Sequence, residues 1–195
     1  MTYIPVEQSY IDPFIWTIER YHKAIKAGVL TEYDKVELLF GQLSSKMPIG
    51  DQHARCVEIL MDYFRDNFGK EFRYRSENPV TLPGNSEPEP DFVVSKRYPK
   101  GQRAPHPSPP EIYIVIEVAD STIDKDRYLK AKAYAIAEIS EYWIINLSTR
   151  KLEFHTQPSQ ADARYEKISF FSENESFVSL LAGETAVEDL LPPAE

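Results

Sequence analysis

The chain has 195 residues, 42% hydrophobic and 27% charged, ordinary globular values at a length that supports a full core and a sheltered site. Its 31 Asp and Glu exceed its 22 Lys and Arg, a net charge of −9, so the overall field does not draw it to nucleic acid. A single cysteine, Cys56, excludes an internal disulfide and a cysteine metal cluster, and no apolar run approaches the roughly 18 residues of a membrane span. One domain over residues 1–195 is expected. The N-terminus (MTYIPVEQSY) lacks a basic, apolar, small-residue signal pattern, and with the lone cysteine this points to a reducing cytoplasm.

In chain order, residues 14–30 (FIWTIERYHKAIKAGVL) predict a helix ending near Gly28, and residues 36–46 a strand interrupted at Gly41. DQHARCVEILMDYFRDNFG (51–69) is the clearest helix: Asp51 can cap it, Gly69 ends it, and Val57, Leu60, Met61, Phe64 and Phe68 form its core-facing stripe. Residues 72–82 and 91–95 read as strands. Residues 95–110 (SKRYPKGQRAPHPSPP) then hold five prolines and four basic side chains, a stiff surface loop. A strand over 111–118, a helix over 125–138 and strands in EYWIINL and KLEFH follow, the last two joined by a hairpin turn at Ser148–Thr149. The C-terminal FVSLLAGETAVEDLL carries little signal. Strands mixed with several helices imply an α/β fold with a mixed sheet.

The 111–118 strand poses a question of charge. Ile112, Ile114, Ile116 and Val118 alternate with Tyr113 and Val115, so both faces are apolar and the strand belongs inside a covered sheet. Burying an ionised Glu117 there costs several kcal/mol unless something pairs with it. Upstream, in SEPEPDFVVS, Asp91 stands at the beginning of its strand, whereas Glu117 stands at the end of the next. Antiparallel pairing would set the two carboxylates side by side at one sheet edge. Two anions there require a proton or a cation between them, and a hard divalent ion such as Mg²⁺, with the Val118 carbonyl as a further ligand, suits them. The bland alternative is a strand-end Glu117 in water or paired with Lys or Arg.

In DKDRYLKAKAYA, Asp126, Lys130 and Tyr134 are spaced i, i+4, i+8 on one helix face. Alone, Asp126–Lys130 reads as a solvated surface pair. Because this helix directly follows the Glu117 strand, Lys130 could instead orient a water and offset charge growing on a phosphate. Lys132 points elsewhere, and Lys125 is too near the helix start to place. Trp143 and Tyr142 are assigned to packing.

EPEPDFVV, a proline-rich gap, IYIVIEVADST, DRYLKAKAYA and EYWIINL, in that order, resemble the Uma-two family of endonucleases within the restriction-endonuclease-like PD-(D/E)XK superfamily. YDKVELLFGQLSSKMPIGDQH is similar to the family's opening segment. The resemblance implies a restriction-endonuclease-like mixed β-sheet flanked by helices. It puts the superfamily's two acidic ligands on Asp91 and Glu117, a further acid holding metal through water on Glu37, and a histidine, for substrate contact or helix capping, on His53. The superfamily's E-x-K lysine is missing, since Ala119 occupies its position; by the family pattern it moves to Lys130.

The implied chemistry is phosphodiester hydrolysis with Mg²⁺ or Mn²⁺, and DNA as partner. Lys96, Arg97, Lys100 and Arg103 are the candidate phosphate-backbone contacts, and a homodimer would match two strands with two sites. The rival reading is a non-catalytic module that keeps the nuclease fold to bind nucleic acid or protein, favoured by the missing E-x-K and the acidic balance. A two-carboxylate glycoside hydrolase fits less well, because no aromatic sugar platform flanks either acid.

Overall fold

A computed structural model describes residues 13–120 and 123–194. The N-terminal MTYIPVEQSY, which lacks a signal pattern, and the Ser121–Thr122 end of the EVADST motif lie outside the described residues.

Helix α1 (Ile18–Lys26) is capped by the Thr17 side chain and is shorter than the predicted 14–30. A tight hairpin of β1 (Val36–Leu39) and β2 (Gln42–Ser45) follows. Its turn places Phe40 and Gly41 both at positive φ, as tight antiparallel hairpins require. A Cβ on Gly41 would come within 2.5 Å of Ile15 and 2.9 Å of the Trp16 carbonyl, so glycine is needed on two counts. Helix α2 (Asp51–Phe68) is capped by Gly50 rather than Asp51, which sits in its first turn, and ends at Gly69 with φ of 56°.

Next come β3 (Arg73–Ser76), β4 (Phe92–Ser95), β5 (Ile112–Ala119), a π-helical turn (Lys125–Lys130) running into α3 (Ala131–Ile136), and β6 (Glu141–Asn146). The chain closes with β7 (Lys151–Ser159), β8 (Arg164–Ser172), a small hairpin of β9 (Ser176–Ser179) and β10 (Gly183–Ala186), and a 3₁₀ turn at Val187–Leu190. The strand predicted over 72–82 is confined to β3, because Pro79 and Pro83 interrupt the ladder. From β8 onward the strands were not anticipated.

The main sheet has the order β3-β4-β5-β6-β7-β8. β5 and β6 are parallel, with the π turn and α3 as their crossover; every other neighbouring pair is antiparallel. Strand alternation assigns the two faces. Ile114, Ile116 and Val118 point with Phe92, Trp143 and Ile145 toward α2, whose Cys56, Leu60 and Phe64 are fully buried. Val115 and Ala119 point with Val93, Tyr142 and Ile144 toward Ala131, Tyr134 and Ala135 of α3, where small side chains let the helix approach closely. This is a restriction-endonuclease-like mixed sheet flanked by helices. Glu117 lies one step from Ile116 and therefore on the α3 side. Among the described residues, no helix is long and apolar enough to cross a membrane.

Candidate active site

β4 and β5 pair antiparallel with Phe92 opposite Ile116, so the next step outward sets Asp91 beside Glu117. The Val118 amide donates to Asp91 Oδ2 at 2.7 Å, and the Asp91 amide lies 3.4 Å from Glu117 Oε2. In an extended strand the N–H and C=O of one residue point to the same side, so the Val118 carbonyl faces this same edge.

Glu117 is fully buried. Its partners come from the crossover: Lys130 Nζ lies 2.8 Å from Oε2, and the Tyr134 hydroxyl donates to Oε1 at 2.7 Å. Lys130 is itself 3.6 Å from Asp126 Oδ1 and 4.0 Å from Glu37 Oε1. The π turn that presents it closes with the Ala131 amide on the Asp126 carbonyl, an i to i+5 bond, and such turns recur at functional sites. The Tyr142 hydroxyl donates to the same carbonyl at 3.0 Å, which anchors the turn to the sheet. Asp126 and Lys130 are thus buried members of one cluster rather than a solvated pair.

Two more elements complete the cleft. Backbone bonds between Leu38 and Glu87 hold the β1–β2 hairpin against the 85–90 segment, which carries Glu37 to the site. Glu37 Oε1 is 2.6 Å from Lys125 Nζ, and its Oε2 accepts the Glu89 amide at 3.0 Å. Both oxygens are engaged by protein groups, and Lys130 lies between Glu37 and Glu117. From α2, His53 Nε2 comes within 3.1 Å of Asp91 Oδ2, while its buried Nδ1 has no partner. The cleft wall also includes Lys46, Glu89, Glu77 and Asp120.

The electrostatics follow from crowding. Burial, reinforced by the neighbouring Asp91 and Asp126, pushes the Glu117 carboxyl well above the usual range against the pull of Lys130. Burial likewise raises Asp126 to about 6 against the pull of Lys130. Burial opposes ionisation of Asp91 too, but its bond with His53 and the Lys130 charge outweigh that and lower it. Glu37, also penalised by burial, is held low by Lys130 and Lys125. Lys130 is raised despite burial, because Glu117, Glu37 and Asp126 surround it. Around Lys125 and Lys130 stand Asp91, Glu117, Asp126 and Glu37, and with Glu77, Glu89, Asp120 and Lys46 the cleft holds seven carboxyl groups against three ammonium groups, an excess of acid. Hard oxygen donors in that excess suit a divalent cation of the Mg²⁺ or Mn²⁺ type.

The cleft therefore brings together Asp91, Glu117, Val118, Lys130, Glu37 and His53. It does not include Lys96, Arg97, Lys100 or Arg103. Those residues follow the far end of β4, where Ser95 pairs with Ile112, so Lys96 is roughly 16 Å of extended strand from Asp91. The basic groups that do line the cleft are Lys46, Lys125 and Lys130. The sequence carries no signal for Lys46 and leaves Lys125 unplaced near a helix start; the i, i+5 spacing of Lys125 and Lys130 puts both on one side only in a π turn.

The family model described as "Uma2: Putative restriction endonuclease" matches residues 18–188. The chain belongs to the Uma2 family. Its fold is similar to that of a crystal structure described as a putative nuclease belonging to DUF820 from Anabaena variabilis ATCC 29413. That match has a TM-score of 0.60 and 14% identity, and covers 89% of this chain and 96% of the other. No curated protein matches the chain. In this Uma2 chain the matched region contains every residue of the cleft named above.

Proposed function

We propose that this Uma2 chain is a divalent-metal-dependent DNA endonuclease that hydrolyses phosphodiester bonds. The observation that carries the reading is the meeting of Asp91 and Glu117 at one sheet edge with Lys130 against Glu117. Asp91, Glu117 and the Val118 carbonyl would hold Mg²⁺ or Mn²⁺, which supplies Lewis-acid stabilisation of charge on a phosphate. The chain's own groups do the rest. Tyr134 fixes the orientation of Glu117 through Oε1, leaving Oε2 toward the cleft. His53 and the Val118 amide hold Asp91 through Oδ2. Lys130 offers a fixed positive charge to a phosphate that is gaining negative charge, and Glu37 keeps Lys125 and Lys130 at the cleft wall.

A homodimer in a reducing cytoplasm, with one cleft for each DNA strand, completes the proposal; the buried free thiol of Cys56 is compatible with that compartment. The second reading, a module that binds nucleic acid or protein without cutting, draws on Ala119 in place of the superfamily lysine and on the distance of the basic loop from the cleft. Plasmid cleavage separates them. The wild type should nick or cut with Mg²⁺ or Mn²⁺, Asp91→Ala and Glu117→Ala should be inactive, and Lys130→Ala should be weakened. If wild type and both carboxylate variants behave alike with every metal, the endonuclease reading fails.

A further inference from the structure

A second group of ligating side chains lies apart from the carboxylate cleft. Glu87 is 2% exposed, on the 85–90 segment, and its carboxylate is met by His22 Nε2 from α1 at 2.7 Å and by His106 Nδ1 from the proline-rich loop at 3.5 Å. One ligating atom from each of the three residues falls within 4.8 Å of the others. The two imidazole rings stand nearly perpendicular, 88° apart, with centroids 6.2 Å from each other. The Thr81 hydroxyl also donates to this carboxylate, to Oε2 at 2.9 Å. Among the described residues, no Lys or Arg nitrogen comes within 4 Å of it.

We infer that His22, Glu87 and His106 form a zinc-binding clip that fastens the proline-rich loop to α1 and the body of the fold. Three features support this. First, a carboxylate this deeply buried calls for a positive partner, and the two imidazoles that reach it are themselves metal ligands in their neutral form. Second, two imidazole nitrogens with one carboxylate oxygen is a ligand set that favours Zn²⁺ over Mg²⁺, the ion suited to the carboxylate-rich cleft. Third, the geometry needs only small movements. A tetrahedral site with ligands at about 2.1 Å needs donor atoms roughly 3.4 Å apart, and the half-exposed rings of His22 and His106 have room to turn. The same exposure leaves the fourth position to water.

The three ligands come from segments far apart in sequence, so the ion would tie together elements that otherwise meet through few bonds. The loop tip is attached by the Thr81 amide on the Pro107 carbonyl at 3.1 Å and by Arg73 on the Pro105 carbonyl at 3.5 Å. Clipping His106 would restrict the exposed stretch that carries Lys96, Arg97, Lys100 and Arg103. This inference stands independently of the endonuclease reading.

Titration of Zn²⁺ into the full chain by calorimetry, with millimolar Mg²⁺ present to occupy the carboxylate-rich cleft, tests the clip. One equivalent should bind, and affinity should fall about tenfold or more in both His22→Gln and His106→Asn. Both histidines are partly exposed, so these variants should fold, and their circular dichroism should match the wild type. Co²⁺ in place of Zn²⁺ should give the visible absorption of a low-coordinate nitrogen-ligated ion in the wild type only. Trypsin cleavage after Lys100 and Arg103 should slow several-fold with Zn²⁺ in the wild type and not in the variants. Unchanged Zn²⁺ affinity in both variants would overturn the site, and Zn²⁺ binding without tryptic protection would overturn the clip.

Discussion

Replacing Lys130 with Met deletes an ammonium group that has almost no solvent contact and lies 2.8 Å from Glu117. The methionine fills most of the volume, so the effect is electrostatic. Breaking a buried pair from one side costs about 3–5 kcal/mol. Glu117 can limit the damage by taking a proton, as its raised pKa already favours, so the lower end, about 3 kcal/mol, is expected. For a chain of this length that corresponds to a fall in Tm of roughly 6–12 °C. Glu117→Gln alone should cost less, because Lys130 keeps Asp126 at 3.6 Å and Glu37 at 4.0 Å. The double variant should regain much of the loss, giving a coupling energy of about 1.5–3 kcal/mol. Thermal and urea unfolding of all four proteins in EDTA, where no bound cation contributes, measure the Tm shift and this cycle. A Lys130→Met protein that melts within about 1 °C of wild type, or a cycle without coupling, would refute the pairing that underlies the site.

Away from the cleft, Arg127 Nε lies 3.0 Å from both oxygens of Glu153, whose pKa is lowered by His155 and Arg127 although burial opposes it. A depressed carboxyl contributes stability above its unfolded pKa and loses it as pH falls through the folded value. Arg127→Met should therefore cost about 2 kcal/mol at pH 7, and thermal melts should show that gap closing on acidification below the ordinary glutamate pKa of about 4.3. Tyr134→Phe removes the hydroxyl that orients Glu117 and should weaken Mn²⁺ binding about tenfold by calorimetry; unchanged affinity would count against that role. Phe64 is fully buried, stacked on Phe92 at 5.4 Å between centroids and near Trp143, so Phe64→Ala should lose about 3–5 kcal/mol in urea denaturation.

The α/β class, α2 with its core-facing stripe (Leu60 and Phe64 buried, Val57, Met61 and Phe68 partly so), and the strands of the sheet's centre were legible because side-chain periodicity is a local property. The proximity of Asp91 to Glu117 was legible for a related reason: adjacent antiparallel strands place the start of one beside the end of the next. That same rule carried a consequence the sequence reading did not draw. A loop joining those strands must leave from the opposite end, so Lys96, Arg97, Lys100 and Arg103 lie far from the carboxylates. The outer strand β8 was missed because its alternation is weak, with Ile168 and Phe170 exposed, and β9 and β10 are only four residues each.

By itself the sequence determined which faces are apolar, that Asp91 and Glu117 would share a sheet edge if their strands paired antiparallel, and that Lys130 and Tyr134 follow the Glu117 strand on one helical face. Only the tertiary structure decided that Asp126 is buried, that Glu37 receives Lys125 from a distant segment, and that His22, Glu87 and His106 converge. The reason is physical. Periodicity is set by backbone geometry over a few residues, whereas the pairing of charges depends on ångström-scale distances between segments that only the packed chain brings into contact.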